Sequence, residues 1–111
     1  MYEYKVKEIT KIYDGDTITV VLDLGFGVYR KEILRLYGID TPELRGEKRE
    51  QGLISRDWLR ERLNVEMEKI TIKTVRDMQG KYGRYLAEVY VDDININRQL
   101  LSEGLAKVYG E

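Results

Sequence analysis

Acidic side chains stand together in two short segments that also carry residues typical of turns. The first runs from Asp14 to Thr17 and reads Asp-Gly-Asp-Thr, and the second runs from Asp40 to Glu43 and reads Asp-Thr-Pro-Glu. Calcium and other hard divalent cations bind carboxylate and carbonyl oxygens, and water completes their shell of about six to eight ligands. Two aspartates brought together from separate loops would meet the minimum charge that such a site requires. Taken alone, each segment is more often only a turn, and the first lacks the ligand spacing of an EF-hand.

Two arginines add groups that suit phosphate chemistry. Arg35 lies within a strand-like run, and Arg84 opens another. By itself, either arginine is more often a surface ion-pair residue. Together with a metal ion, the two would stabilise the charge that builds on the non-bridging oxygens during phosphodiester cleavage. A carboxylate that does not bind the metal, here Glu43, would then orient or deprotonate the attacking water.

The composition excludes several other kinds of catalysis. The 111 residues include no cysteine and no histidine, which removes disulfides, thiol nucleophiles, imidazole acid–base chemistry and the usual structural zinc sites. The formal net charge is −1 and the pI is about 5.6, so the chain as a whole does not attract nucleic acid as a basic domain would. Positive charge is concentrated after Glu43, where it forms either a phosphate track or a solvated helix face. The residues concerned are Arg45, Lys48, Arg49, Arg56, Arg60 and Arg62.

The length of the chain predicts one domain that spans residues 1–111, because chains of roughly a hundred residues bury one core and rarely two. No apolar run approaches the roughly 20 residues that a membrane-spanning helix needs, so no membrane partner is expected. The first residues lack the apolar region of a secretory signal. The chain is therefore expected to be cytoplasmic, or secreted with a leader that has been removed, and both locations stay open.

Hydrophobic periodicity predicts five strands and two helices. Strongly apolar residues occupy every second position from Ile18 to Leu24, which is typical of a strand with one apolar face. Ile54 and Trp58, then Leu59 and Leu63, recur four residues apart and predict an amphipathic helix. The predicted strands are 4–13, 17–24, 28–37, 69–76 and 84–91, and the predicted helices are 50–64 and a shorter one that begins at Asn97 as N-cap and ends at Gly104. This order predicts an α+β fold, a five-stranded OB-type β-barrel with two helices.

Four blocks of the sequence resemble the staphylococcal nuclease (thermonuclease) family. They match the family in order, spacing and content, and together they extend over nearly the whole chain. The blocks are Tyr13 to Thr17, Arg35 to Glu43, Lys81 to Ala87 and Glu103 to Val108. The resemblance implies an OB barrel with helices, in agreement with the fold predicted from the periodicity. It also implies a calcium-dependent nuclease that hydrolyses DNA, RNA or both.

The resemblance further implies a calcium site built from both acidic segments. Asp16 and Asp40 match the side chains that bind calcium, and Thr41 matches the residue that contributes its backbone carbonyl. Asp14 matches a residue that acts on the metal through water.

The other matched residues are implied to act on the substrate. Glu43 matches the general base, and Arg35 and Arg84 match the pair that grips the scissile phosphate and stabilises its transition state. Lys81 and Tyr82 match residues that contact a terminal phosphate of the bound nucleotide. In this family water attacks phosphorus and the 5′ oxygen leaves, which implies products with a 3′ phosphate.

The chain departs from the family's pattern in two places. Residues 44–49 replace the family's loop after the catalytic glutamate, so substrate contacts in that loop cannot be transferred. The chain also stops at Glu111, where typical members continue through base-stacking tyrosines and a third helix, and Tyr109 is only an approximate substitute for those tyrosines. Apolar surface exposed by the missing helix would favour a homodimer, unless the barrel's own side chains cover it.

A second function stays open, a catalytically weak or silent OB-type module that binds single-stranded nucleic acid. Some relatives of the family are silent scaffolds, and the nine tyrosines would suit base stacking, although most are expected to serve packing. A silent copy has no reason to retain the full set of charged residues. That set is Asp16, Arg35, Asp40, Glu43 and Arg84, and all are present. The sequence therefore favours the enzyme.

Overall fold

The fold is a barrel of long strands with two helices beside it. The computed structural model describes residues 2–79 and 84–110, and for residues 76–79 it describes the backbone alone. The strands are β1 (Tyr2–Asp14), β2 (Thr17–Asp23), β3 (Tyr29–Leu36), β4 (Ile39–Asp40), β5 (Ile70–Gln79), β6 (Tyr85–Val91), β7 (Ile94–Asn95) and β8 (Lys107–Val108). The helices are α1 (Arg49–Arg62) and α2 (Ile96–Ser102).

Five long strands close the barrel. They pair in the antiparallel order β3, β2, β1, β5 and β6, and β6 then pairs in parallel with β3. Ile18, Val20 and Leu34 are among the side chains buried inside. This closed barrel confirms the predicted OB-type α+β fold, while the single domain over residues 1–111 stays a prediction. In the part of the chain that the structure describes, neither helix has the length and apolar character needed to cross a membrane.

Three β-bulges shape β1, and no period-two pattern predicts them. The register of β1 with β2 shifts between Val6 and Glu8, between Ile9 and Lys11, and between Ile12 and Asp14. Each bulge sets two residues of β1 against one residue of β2 and increases the local twist. The residues that face the core, Val6, Ile9 and Ile12, therefore recur at every third position. The coiled strand can thus pair with β5 at its start and with β2 over its remaining length.

Helix α1 presents a different face from the predicted one. Leu59 is buried and Trp58 packs against the core as expected, but Ile54 is 59% exposed. The predicted apolar face is therefore wrong in the first half of the helix. Gly52 and Ser55 are buried there instead, because α1 runs so close to the loop after β4 that only small residues fit.

Helix α2 begins at a different asparagine from the predicted one. The side chain of Asn95 accepts a hydrogen bond from the backbone N–H of Arg98 and caps the helix. Asn97 is buried, where its side chain accepts from the Val89 N–H and donates to the Tyr37 carbonyl, each at 3.0 Å. The prediction of Asn97 as N-cap is wrong because its amide ties α2 to the barrel.

Gly104 ends α2 as predicted. Its φ of +72° lies in the left-handed region that glycine adopts without strain. The N–H of Gly104 donates to the Leu101 carbonyl, and the N–H of Leu105 donates to the Leu100 carbonyl, which is the usual closure of a helix by glycine. The reversal leads the chain into β8, and β8 pairs with β4 next to the second acidic segment.

Candidate active site

The β1–β2 turn and the end of β3 meet at one end of the barrel. The backbone N–H of Leu36 donates to the carbonyl of Asp16 at 2.8 Å. Arg35 is the register partner of Thr17, the first residue of β2. Because successive side chains of a strand point to opposite faces, Arg35 lies on the outer side of the barrel while its two neighbours are buried. The strand pairing thus places Arg35 beside the first acidic segment.

Arg35 joins the two acidic segments through its guanidinium group. One terminal nitrogen lies 3.3 Å from Asp16 Oδ2, and the other forms an ion pair with Asp40 Oδ1. The first nitrogen also donates to the carbonyls of Leu36, at 3.1 Å, and Ile39, at 2.9 Å. Only 13% of the Arg35 side chain is exposed. The carboxylates of Asp16 and Asp40 therefore converge on one positive charge.

Asp16 is buried and holds the second acidic segment in place. Its Oδ2 accepts a hydrogen bond from the backbone N–H of Thr41 at 3.0 Å, and its Oδ1 accepts from the Thr17 hydroxyl at 3.1 Å. The hydroxyl of Thr41 is buried beside it and has no hydrogen-bond partner among the described residues. Buried polar groups are nearly always satisfied, so such a hydroxyl marks a place where a ligand or water completes the structure.

Asp14 lies in the same turn as Asp16, and its carboxyl group has a raised pKa. Burial raises the pKa of Asp14 from 3.8 to about 6, and the hydrogen bond and the negative charge of Asp16 act in the same direction. The backbone N–H of Asp16 donates to Asp14 Oδ1 at 3.1 Å and opposes this shift. Two carboxylates this close favour a cation that would relieve their repulsion.

We expect Asp14→Asn to raise the melting temperature of the chelator-treated protein at pH above about 6. The folded pKa lies above the ordinary value of 3.8, so the folded state binds the proton more tightly than the unfolded state. The free energy of unfolding therefore falls as the pH rises from about 4 to about 6. Asparagine keeps an acceptor for the Asp16 N–H and carries no charge.

Melting curves in chelator at about pH 8 should place Asp14→Asn a few degrees above the parent, at roughly 4–8 °C per kcal/mol for a chain of this size. The advantage should disappear near pH 4, where the parent Asp14 is protonated. Asp57→Asn, at an exposed position of α1, serves as the control. A gain that is equal at both pH values would contradict the shift.

Glu43 is positioned by its backbone. The side chain is exposed and, within the described part of the chain, forms no hydrogen bond or ion pair. A Cβ atom at Gly52 of α1 would lie 2.5 Å from the Glu43 carbonyl oxygen and 2.7 Å from that of Pro42. Glycine at this position therefore lets α1 pack directly on the loop that carries Glu43. Reasoning from the sequence missed Gly52, although a single glycine inside a helical pattern is a signal of close packing.

Gly15 permits a second close contact at the site. A Cβ atom there would lie 2.7 Å from Thr41 Cγ2 and 3.0 Å from Ser55 Cβ. The hydroxyl of Ser55 donates to the carbonyl of Leu105 at 2.6 Å. Small residues thus bring the β1–β2 turn, the second acidic segment, α1 and the chain after α2 into contact.

The remaining predicted residues differ in how far the structure describes them. Arg84 is half-buried and immediately precedes β6, which pairs with β3 at Arg35. Lys81 and Tyr82 lie outside the described residues. The ring of Tyr109 is exposed, and its centroid lies 5.9 Å from the guanidinium carbon of Arg35. Tyr109 is therefore next to the site.

The donor atoms at the site suit a hard cation. Asp16 and Asp40 supply carboxylate oxygens that already share the positive charge of Arg35, and Thr41 supplies a carbonyl. Soft metals are not favoured, because the chain has no cysteine or histidine. In residues 2–79 and 84–110, no three acidic side chains converge as possible ligands, so carbonyls and water would fill most of a calcium shell.

Comparisons with known proteins match this chain over most of its length. A family profile described as staphylococcal nuclease homologue matches residues 33–111. Endonuclease YncB of Bacillus subtilis is 34% identical over 112 residues, which cover 90% of this chain and 46% of that protein. Thermonuclease of Staphylococcus intermedius is 30% identical, with 89% of this chain and 56% of that protein covered. Uncharacterized protein MJ1439 of Methanocaldococcus jannaschii is also 30% identical, with 97% and 61% covered. The chain spans about half the length of these curated relatives.

Proposed function

The chain belongs to the staphylococcal nuclease family, and on that premise we propose that it is a calcium-dependent nuclease that hydrolyses phosphodiester bonds of DNA, RNA or both. One observation carries the proposal, the convergence of Asp16 and Asp40 on Arg35 beside the loop that exposes Glu43. Relatives named endonuclease and thermonuclease support nucleic acid as the substrate.

Glu43 acts as the general base in this proposal. It takes a proton from water as the water oxygen attacks phosphorus and the bond from phosphorus to the 5′ oxygen breaks. The 5′ oxygen takes a proton from solvent water and leaves as a hydroxyl group, and a 3′ phosphate remains. Its exposure and lack of an ion pair within the described residues leave the carboxylate free to accept that proton. The contact of its backbone with Gly52 fixes the loop from which it reaches the water.

Arg35 and Arg84 stabilise the charge that develops on the phosphate oxygens. A guanidinium group offers five N–H donors in a planar fork, so Arg35 can contact phosphate while it keeps part of its contacts with the barrel. Its bonds to the carbonyls of Leu36 and Ile39 hold the group at the end of β3. Lys81 and Tyr82 are proposed to contact a terminal phosphate of the bound nucleotide, as the family resemblance implies.

Calcium is the proposed cofactor. Asp16, Asp40 and the Thr41 carbonyl would hold it, with Asp14 acting through water, and the bound ion would add positive charge beside the phosphate. The support is the donor set described above, together with the Thr41 hydroxyl, which lacks a hydrogen-bond partner among the described residues.

The test is incubation with single-stranded DNA, duplex DNA and RNA, each with calcium or with chelator. We expect cleavage of at least one substrate with calcium and none with chelator. The products should carry a 3′ phosphate, which polynucleotide kinase that lacks 3′-phosphatase activity does not remove. Magnesium should bind without supporting turnover, because it demands a tighter octahedral shell. Cleavage that persists in chelator would overturn the calcium assignment.

The alternative is a catalytically weak or silent module that binds single-stranded nucleic acid. The complete set of charged residues, with Asp16 and Asp40 both on Arg35, favours the enzyme over this module. Binding of single strands without cleavage under every condition above would favour the module.

Two grooves lie on the surface where a second copy of the chain could bind. A groove of about 200 Å³ lies between the second acidic segment and the chain after α2, and a neighbouring groove is lined by the exposed Ile54. No finding supports a homodimer, which stays a prediction. Sedimentation velocity showing a monomer at all concentrations would exclude it.

We expect Gly52→Ala to lower kcat by roughly 10- to 100-fold with little change in KM. An added Cβ would lie 2.5 Å from the Glu43 carbonyl oxygen, so the loop must move, and displacement of a catalytic group by about 1 Å can cost 10²-fold. Gln51→Ala, an exposed neighbour on the same helix, is the control. A kcat equal to that of the parent would show that Gly52 does not position Glu43.

A further inference from the structure

The outer face of β1, β2 and β3 carries more side chains than a regular sheet. The three bulges of β1 add three outward residues, so exposed residues follow one another in pairs along this strand. Two tyrosines are prominent, since Tyr13 is 56% exposed and Tyr29 is 47% exposed. Bulges often re-aim side chains next to functional sites.

Each of these tyrosines has a lysine over its ring. Lys7 Nζ lies 4.8 Å from the ring centroid of Tyr29, and Lys11 Nζ lies 5.2 Å from that of Tyr13. A single nucleic-acid strand repeats a flat base and a phosphate. A ring beside an ammonium group offers a stacking surface and a phosphate ligand in one unit.

The face leads directly from the candidate active site. Thr17 is the register partner of both Asp14 and Arg35. These three residues lie side by side at one end of the face and belong to that site. Asp23, at the other end of β2, pairs with Tyr29. The seven residues of β2 span roughly 20 Å at about 3.3 Å each, a length that accommodates several nucleotides.

The far end of the face finishes in an exposed aromatic residue. Phe26 is fully exposed at the tip of the β2–β3 hairpin, between Gly25 and Gly27, and has a φ of +56°. Val28 donates to the Gly25 carbonyl at 2.9 Å and fixes the turn. The left-handed conformation is unfavourable for phenylalanine, so neither packing nor backbone preference accounts for this residue.

We propose that this face, defined by Lys7, Lys11, Tyr13, Tyr29 and the tip residue Phe26, binds single-stranded nucleic acid that continues away from the cleaved phosphodiester. The inference rests on the proposed nuclease function and deepens it, because it assigns a binding surface to the part of the strand that lies beyond the cleaved phosphodiester. Duplex DNA is disfavoured, since its bases are not free to stack on the rings.

The charges of the face agree with this occupant. Outside the candidate active site, Lys5, Lys7, Lys11 and Lys31 outnumber Glu3, Glu8 and Asp23 on the outer side of these strands, although the whole chain has a net charge of −1. The Asp23 carboxylate also accepts a hydrogen bond from the Gly25 N–H at 2.8 Å, which directs it into the turn. An anionic membrane surface would instead engage the hairpin tip, and the test below includes it.

The test compares two matched double variants. Lys7→Ala with Tyr29→Ala removes one lysine–tyrosine pair of the face, far from the site. Lys73→Ala with Tyr90→Ala removes a similar pair on β5 and β6, where Lys73 Nζ lies 4.6 Å from the Tyr90 centroid. Binding of a labelled single strand of about 20 nucleotides is measured in chelator by fluorescence anisotropy. We expect Kd to rise by roughly 10-fold for the first variant and less than about 2-fold for the second.

The same variants separate this inference from the proposed function. With calcium, Lys7→Ala with Tyr29→Ala should raise KM for the long single strand and leave cleavage of a dinucleotide substrate unchanged. Cleavage by the parent together with equal Kd values for both variants would contradict the proposed binding face but not the proposed nuclease function. Binding that depends on the face, without any cleavage, would support the proposed binding face and contradict the proposed nuclease function.

Phe26→Asn tests the hairpin tip without straining it, because asparagine tolerates the left-handed conformation. We expect an unchanged or higher melting temperature and a Kd for the long strand that rises several-fold, about 5-fold for one lost stacking contact. Unchanged strand binding together with lost binding to phosphatidylserine vesicles would assign Phe26 to a membrane surface and overturn its place on the nucleic-acid face.

Discussion

Replacing Arg35 by alanine should lower kcat by about 10³- to 10⁵-fold, by analogy with arginines that stabilise phosphoryl-transfer transition states. The substitution removes the fork that can contact two phosphate oxygens as their charge develops. It also removes the charge on which Asp16 and Asp40 converge, so those carboxylates are left to repel each other. Single-turnover cleavage with saturating calcium and substrate measures the chemical effect directly.

Two comparisons separate catalysis by Arg35 from its structural contacts. Arg35→Lys keeps the charge and loses the fork, so it should restore most of the melting temperature and only a small part of kcat. Arg84→Ala should cost a similar factor of about 10³ to 10⁵ through the same transition state. Arg35→Ala that is correctly folded, binds calcium and cuts as fast as the parent would remove Arg35 from the mechanism.

The features that sequence reasoning predicted well have local signals. The hairpin of β2 and β3 follows from apolar residues at every second position, and the same alternation places Arg35 outside while Leu34 and Leu36 are buried. The turn between β1 and β2 follows from the Asp-Gly pair at Asp14 and Gly15, which is typical of turns. The end of α2 follows from the conformational freedom of glycine at Gly104. These elements depend on a few neighbouring residues, so a short stretch of sequence is enough to predict them.

Barrel closure is a tertiary property, and its consequences could not be predicted from local patterns. Val6, Ile9 and Ile12 recur at every third position, which matches neither the strand period of two nor the helix period of 3.6. The pattern makes sense once β1 must coil to reach both β2 and β5. The face proposed to bind single strands depends on these bulges, so the sequence alone does not predict it.

The contacts that hold the site together could not be predicted from the sequence either. A sequence shows that Gly52 lies inside a helix, but it does not show that the carbonyl of Glu43 lies opposite. It shows that Arg35 can bind phosphate, but it does not show that the same group ties Asp16 to Asp40. Both facts depend on how separate elements pack, and they decide how firmly the proposed base and metal ligands are held.

Glu43→Gln should lower kcat by roughly 10²- to 10⁴-fold as a lost general base, with little effect on folding or on KM. The side chain is exposed and unpaired within the described residues, so its amide replacement disturbs no contact of the folded chain. Glutamine keeps the size and the hydrogen-bonding oxygen but cannot take the proton from water. The predicted loss therefore falls on the chemical step alone.

The matched control for this variant is Glu47→Gln, which removes one negative charge from an exposed position four residues away. It should change kcat by less than about 2-fold, because solvent and salt screen an exposed charge. Calcium affinity, measured by isothermal titration, should stay near that of the parent in both variants, since Glu43 is not proposed to bind the ion. If Glu43→Gln loses calcium affinity in proportion to kcat, then Glu43 holds the metal and another group takes the proton. If it retains full kcat, Glu43 is not the base, and activation of water must come from the other residues around Asp16 and Asp40.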